Sequence, residues 1–402
     1  MSYVEDGFVV WPLLPNWKNG VRESLTCKTE VIGGGPSLTG VRQKRARRTS
    51  PRRAFEFTVH PHGAGRRLMD NIENDRGARE YMLPIWHDRQ SLSATLASGS
   101  TEIPCDTVNR DFGQYAVLRS GDLNQFNFEV VEITSIAADE ITLGAATVST
   151  WPKGTRLYPL RRGRLLVSPS TTLLTDDVGT KLVSFEISEP CDWAAHTFAD
   201  EYLGYPVWDV KPDWSSTRPQ SFDRINTIVD NDTSIPVVFD FPDTSFRMTS
   251  IKWTARNRTD HALQRSVFYA LRGKQHSIWV PSYLQDLKLA STLGSGSTAM
   301  TVQWCGYTVF GKHQESRRDL RIELYDGSVY YRRVTAEAEA GANEVLTINA
   351  SLGVEVVPSQ VKRISFMVLS ELATDSVMFD HLTDAAGVTV ASFAFEGVVA
   401  PP

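Results

Sequence analysis

Four cysteines, Cys27, Cys105, Cys191 and Cys305, are scattered over 402 residues with no CxxC pair among them. A shared metal or iron–sulfur site would need all four to converge in space, so four buried or incidental thiols are the expectation. No window approaches 18 uninterrupted apolar residues, which excludes a helical membrane span. The opening MSYVEDGFVVWPLL lacks a basic region followed by a long apolar stretch, so no secretory signal is read there. Folding in a reducing cytosol is therefore expected, and the sequons at Asn231, Asn257 and Asn349 are expected to stay unmodified. Nor is there a large excess of one charge: the net charge is −5, so the surface as a whole is no nucleic-acid footprint. What is present in quantity is tryptophan (ten) and proline (20), which suit sheets and loops better than a helical bundle.

Self-comparison gives the most informative pattern. Val10-Trp11-x3-Pro15-x-Trp17 recurs 197 residues later as Val207-Trp208-x3-Pro212-x-Trp214. Pro84-x7-Leu92-x2-Thr95-Leu96-x-Ser98-Gly99-Ser100-Thr101 recurs, at the same offset, from Pro281 to Thr298. Later matches drift, as loop insertions would cause. Gly154-x4-Pro159 pairs with Gly353-x4-Pro358, and Leu174-Thr175-Asp176…Ser184-Phe185 with Leu382-Thr383-Asp384…Ser392-Phe393. The pattern reads as two copies of one unit, 1–200 and 201–402. Trp17, Trp214, Pro84 and Pro281 are expected at equivalent structural positions, with both tryptophans largely buried.

Within each copy the apolar alternation is that of strands. It runs through Phe55, Phe57 and Val59, then Phe126, Phe128 and Val130. In the second copy it covers Val237, Phe239 and Phe241, then Ile322 and Leu324, then Ile364, Phe366 and Val368. Ser120-Gly121-Asp122 and Asp326-Gly327 mark matching turns. One amphipathic helix per copy interrupts this: Thr259-Asp260 caps a stretch carrying Leu263, Val267 and Leu271 and ended by Gly273. The poorer counterpart covers roughly Arg66 to Arg76. The fold class expected is mainly β, two sandwich or barrel units each with one short flanking helix.

Motifs for chemistry are sparse. Gly33-Gly34-Gly35-Pro36 lacks the phosphate-loop pattern, and Pro36 removes an amide such a loop would use, so a flexible loop is expected. His60-x-His62 has no Cys, His, Asp or Glu nearby at metal-ligand spacing. His87-Asp88 and Asp380-His381 look like acid–base pairs, but no nucleophile motif accompanies them. Asp139-Glu140 sits in a polar turn. No catalytic residue, metal or cofactor is expected, and alanine at His60, His62, His87 or Asp88 should leave assembly nearly intact. The one unusual charge run is Arg42, Lys44, Arg45, Arg47, Arg48, Arg52 and Arg53, set against acidic Asp230, Asp232, Asp240 and Asp243 in the second copy. The basic run is expected to form a hairpin loop meeting a neighbouring subunit or adjacent ring.

Several stretches resemble a family of minor tail proteins of long-tailed bacteriophages. They are Trp11-Pro12-x2-Pro15-x-Trp17, Pro51-Arg52-Arg53-x-Phe55-Glu56-Phe57, Leu83-Pro84-Ile85-Trp86-x-Asp88, Trp151-Pro152-x-Gly154-Thr155, the run from Tyr158 to Leu165, Ala270 to Gln275, and Trp279-Val280-Pro281-Ser282-Tyr283-x2-Asp286. The resemblance implies a tail-tube-like fold and a distal-tail or hub ring at the tail tip of the virion, assembled in the host cytoplasm. Its partners would be the tail-tube, tape-measure and tip or fibre proteins, with nucleic acid involved only as DNA passing through the ring. It implies no catalytic residues. Three chains per ring would present six similar units to a six-fold tube; six chains is the competing arrangement. The alternative function is a two-lobed receptor- or carbohydrate-binding module, and a third is a wall-degrading enzyme.

Overall fold

The computed structural model describes every residue except 1–3, 6, 33–42, 78, 121–126, 168–169, 216, 241–242, 313 and 400–402. Gly33 to Pro36, Arg42, Phe126 and Phe241 thus lie outside the described residues. The protein is mainly β, built from antiparallel sheet with few helices.

One path of paired strands crosses the whole molecule. Phe246–Ala255 pairs with Thr389–Gly397, which pairs with Ser376–His381. That strand pairs in turn with Val21–Thr26, and the path continues through Arg52–Val59, Gly179–Ile187 and Arg156–Leu165 to Glu80–Pro84. The step between the two halves of the sequence is therefore an ordinary antiparallel ladder, with Val21 opposite His381 and Glu23 opposite Phe379.

Alternation explains the strands. In Arg52–Val59 the residues Arg53, Phe55, Phe57 and Val59 face inward, and in Thr389–Gly397 Ala391, Phe393 and Phe395 do. The helix Gly63–Arg76 (α1) buries Met69 and Ile72, while Arg258–Leu271 (α2) buries a broader stripe including Val267, Phe268 and Leu271. α2 begins one residue before Thr259 because the Asn257 side chain, not that of Thr259, accepts the Asp260 amide at 2.9 Å.

Local contacts recur between the halves. Trp11 N donates to Met82 O, and Trp208 N to Trp279 O, 197 residues on. Trp11 Nε1 donates to Leu13 O and Trp208 Nε1 to Val210 O. Trp11 meets Phe185 edge-on at 4.9 Å, and Trp208 packs on Phe393 at 5.6 Å. Pro84 lies opposite Leu160 and Pro281 opposite Met367. Leu96 and Trp151 exchange both backbone hydrogen bonds, as do Leu293 and Val356. This last register separates Gly154-x4-Pro159 from Gly353-x4-Pro358: Pro159 lies inside the strand Arg156–Leu165, whereas Pro358 opens a 3-10 turn.

Each half also carries a larger and a smaller core, and the second half adds a cluster of Tyr202, Val207, Trp279, Met367 and Leu369. The larger ones surround Trp11 and Trp208. Smaller β-lobes enclose Ile103, Leu118, Val131 and Ile141 in the first half, and Val302, Leu320, Leu346 and Val356 in the second. The expectation for Trp17 and Trp214 needs correcting. Trp17 only flanks the first core and Trp214 is 55% exposed, because the first tryptophan of each motif, not the second, follows the strand into the interior.

Trp11→Ala and Trp208→Ala should therefore each cost about 3–5 kcal/mol in urea unfolding. Trp214→Ala should stay within about 0.5 kcal/mol of the parent.

Candidate functional site

The densest cluster of functional side chains sits at the ladder that joins the two halves. In Val21–Thr26 the inward positions are Val21, Glu23 and Leu25, so strand periodicity forces the Glu23 carboxylate into the interior. His381 ends the partner strand on the same side. His87 comes from the 3-10 turn Trp86–Asp88, which follows Glu80–Pro84, and His261 from the first turn of α2. One ligand atom from each of Glu23, His87, His261 and His381 lies within 4.8 Å of the others, and all four residues are buried. Gly20 and Gly387 permit this packing. Both have positive φ, and a Cβ would stand 2.7 Å from His381 O at Gly20 and 2.7 Å from the Arg258 backbone at Gly387.

Glu23 is the electrostatic centre. Its Oε1 accepts Arg53 Nε at 2.5 Å, and its Oε2 lies 2.8 Å from His381 Nε2. Arg265, one helical turn beyond His261, stands 3.9 Å from Oε1. Burial alone would raise the Glu23 pKa, but the Arg53 and Arg265 guanidiniums and His381 outweigh it and hold the carboxyl well below its usual range. Arg53 also contacts Asp111, which takes Arg161 Nη2 at 2.7 Å, and Arg161 reaches Glu189 at 3.1 Å. Arg258 bridges the halves by contacting Asp88 and donating to His87 O at 2.6 Å and Ala385 O at 3.1 Å.

The imidazoles differ in their partners. His381 has Glu23 on Nε2 and Thr389 Oγ1 at 3.2 Å from Nδ1. His87 stacks on His381 with centroids 3.7 Å apart, and His261 meets that pair edge-on. Neither ring nitrogen of His87 has a hydrogen-bond partner, nor does Nδ1 of His261. Burial, with neighbouring positive charge, pushes the His261 pKa down to about 3 and that of His87 well below its ordinary value. Beside them, Cys191 accepts from Arg265 Nη2 and Tyr269 Oη, both at 3.1 Å. Burial opposes ionisation of this thiol, but the Arg265 and Arg53 charges prevail and lower its pKa.

The sequence-derived candidates fall in different places. His87 and Asp88 are interior junction residues: Asp88→Ala would leave the Asp111 amide and the Arg258 guanidinium without the carboxylate they meet, whereas the His87 ring has no hydrogen-bond partner to lose. His60 and His62 are exposed; His60 bonds Asn16 and Thr180, and among the described residues they join no cluster of metal-ligating groups. Cys27 and Cys191 belong to the second-half core, Cys105 flanks the first β-lobe, and Cys305 is exposed. The basic run divides. Arg45 and Arg47 are exposed, with Arg47 paired to Glu30 at 2.6 Å. Lys44 contacts buried Glu371, and Arg52 lies 3.4 Å from Glu186. Arg53 is 2% exposed and meets Glu23 and Asp111 inside the chain, so it presents nothing to a neighbouring subunit, because the strand alternation turns it inward.

A second feature is an open pocket of about 430 Å³ in the second half, lined by Phe222, Cys305, Tyr307, Phe310, Arg317 and Phe366 among others. Arg317 lies over both Phe222 and Phe366, 5.0 and 4.8 Å from their centroids. Glu344 anchors its rim, accepting Thr308 N and Cys305 N at 2.8 and 3.0 Å. No protein-family model and no curated protein matches the chain.

Two predictions follow from these buried charges. Arg53→Ala takes one buried cationic partner from each of Glu23 and Asp111 and should cost about 3–5 kcal/mol in chemical denaturation. Glu344 and Glu323 are each held at a pKa of about 2. Burial opposes this, but backbone amides at Glu344, and Lys362 with Arg321 at Glu323, override it. Their stabilisation is complete above the unfolded carboxyl pKa and is lost as pH falls through the folded value. The melting temperature should thus drop between about pH 5 and pH 2, and Glu323→Gln with Glu344→Gln should flatten that drop.

Proposed function

We propose that the chain is a non-enzymatic structural subunit of a phage tail tip, a tandem duplication that closes into a ring on the tail axis. The observation that carries the assembly role is a pair of two-stranded ribbons that no third strand completes among the described residues. In the second half, among the described residues, Asn226–Val229 pairs only with Val237–Asp240, and Ile228, Val229, Ile235, Val237, Val238 and Phe239 are all exposed. In the first half Thr29–Ile32 pairs with Gln43–Ala46, and Thr29 and Asn226 are again 197 residues apart. An isolated two-stranded ribbon is marginally stable in water, and exposed apolar strands seek pairing. A covering surface supplied by another copy of this chain resolves both problems.

Charge favours a head-to-tail arrangement. The first ribbon presents exposed Arg45, its Lys44 and Arg47 being paired within the chain, whereas the second ends in Asp230 and Asp232. Such heterologous contacts satisfy every interface only if the ring closes. Three chains would present six similar units, matching a six-fold tube above and a three-fold tip below. The recurring contacts of Trp11 and Trp208 support reading the halves as copies, and the resemblance to minor tail proteins supports the location. The receptor- or carbohydrate-binding alternative draws on the Phe222–Arg317–Phe366 pocket, which pairs aromatic faces with a polar rim.

Mass measurement and imaging of the purified chain should show closed trimers. Ile228→Ser with Val238→Ser should shift the population to folded monomers with an unchanged circular dichroism spectrum. A monomeric parent chain that binds glycans through the pocket would favour the alternative.

A further inference from the structure

The cluster at the junction has the composition of a metal site: three imidazoles and one carboxylate, contributed by four separate segments. Two observations point to an ion beyond mere clustering. His87 is 1% exposed with both ring nitrogens unpartnered, and His261 Nδ1 is likewise unpartnered. Buried nitrogens without partners are costly and rare, and a lone pair directed into a polar cluster is what a cation would use. The distances are close to those required. Glu23 Oε2 lies 2.8 Å from His381 Nε2 and 3.9 Å from His87 Nε2. A tetrahedral ion with bonds of about 2.0 Å spaces its ligands by about 3.3 Å, and the His87 ring, stacked flat on His381, has to rotate out of that stack for both imidazoles to face one ion.

The surroundings also suit an ion. Thr389 Oγ1 holds the remote nitrogen of His381, and Arg53 holds the remote oxygen of Glu23, the orienting contacts that metal ligands characteristically have. The neighbouring guanidiniums are matched, Arg53 and Arg161 by Asp111 and Arg258 by Asp88. Arg265 faces Cys191 as well as Glu23. Imidazole with carboxylate selects a first-row divalent ion over magnesium or calcium, and four enclosed protein ligands suit zinc in a structural role.

We propose that Glu23, His87, His261 and His381 bind one zinc ion that fastens the two halves of the chain together. Glu23 and His87 come from the first half, and His261 and His381 from the second, so the ion closes a loop that spans most of the sequence. The site is independent of the tail-tip reading and would exist in a monomer.

The full-length chain, purified without chelators, should carry about one equivalent of zinc by elemental analysis. After stripping with dipicolinate, cobalt(II) should restore about one equivalent with the visible bands of a tetrahedral ion. Zinc absorption fine structure should fit nitrogen and oxygen neighbours only. His261→Gln and His381→Gln should abolish the cobalt bands, whereas His60→Ala with His62→Ala should leave them unchanged. Should a junction variant fail to fold, the parent chain still decides the matter. A folded parent chain binding less than about a tenth of an equivalent of zinc and giving no cobalt bands would overturn the proposal. So would a sulfur neighbour at the zinc, which would assign the ion to a cysteine site.

Discussion

A single buried carboxylate organises the junction of this molecule. Glu23 cannot leave the interior without reversing the facing of Val21 and Leu25 on the same strand, and so it must be matched where it is. The matching groups come from both halves: Arg53 from the first, His381 and Arg265 from the second. Around that contact the chain builds further cross-half links, among them Arg258 to Asp88, Arg89 to Asp384 and Arg22 to Asp380. A buried ionic network of this kind adds little net stability against a hydrophobic equivalent, but breaking one member of it is expensive. Its effect here is specificity, since the ladder between Val21–Thr26 and Ser376–His381 satisfies the charges in only one register.

Much of the fold was legible in the sequence, and the reasons are local. The alternation in Arg52–Val59 and the helical spacing of Leu263, Val267 and Leu271 survive in the structure because tertiary packing uses the faces those periods define. Other readings failed where local pattern and burial part company. Val237 and Phe239 alternate as a core strand would, yet they lie on an exposed ribbon, because periodicity reports strand geometry and not what covers it. Trp214 belongs to the repeated motif but stands in solvent. The junction cluster was the largest omission. Glu23 lies in no motif, and His87, His261 and His381 are separated by more than 100 residues, so only the pairing of Val21–Thr26 with Ser376–His381 brings them together. The adjacent pairs His87-Asp88 and Asp380-His381 were visible, but their meaning is in their meeting across the ladder.

The architecture separates rigidity from recognition. The large cores and the charged junction are buried, while the two ribbons are paired strands that nothing within the described residues completes. A subunit that must hold its shape while offering two unlike contact surfaces to its neighbours has this requirement, and it is the ground on which the ring proposal rests. If both halves descend from one unit, the ribbons have diverged in charge, with basic residues on one and acidic residues at the end of the other.

The account depends on the two halves being one cooperative structure locked at the Glu23 junction. Native-state hydrogen exchange of the full chain tests this most directly. Amides of Val21–Thr26 and Ser376–His381 should exchange only through global unfolding, with the same free energy and denaturant dependence as the core strands of both halves. Exchange of either strand through a partial opening, with the other half still protected, would contradict it.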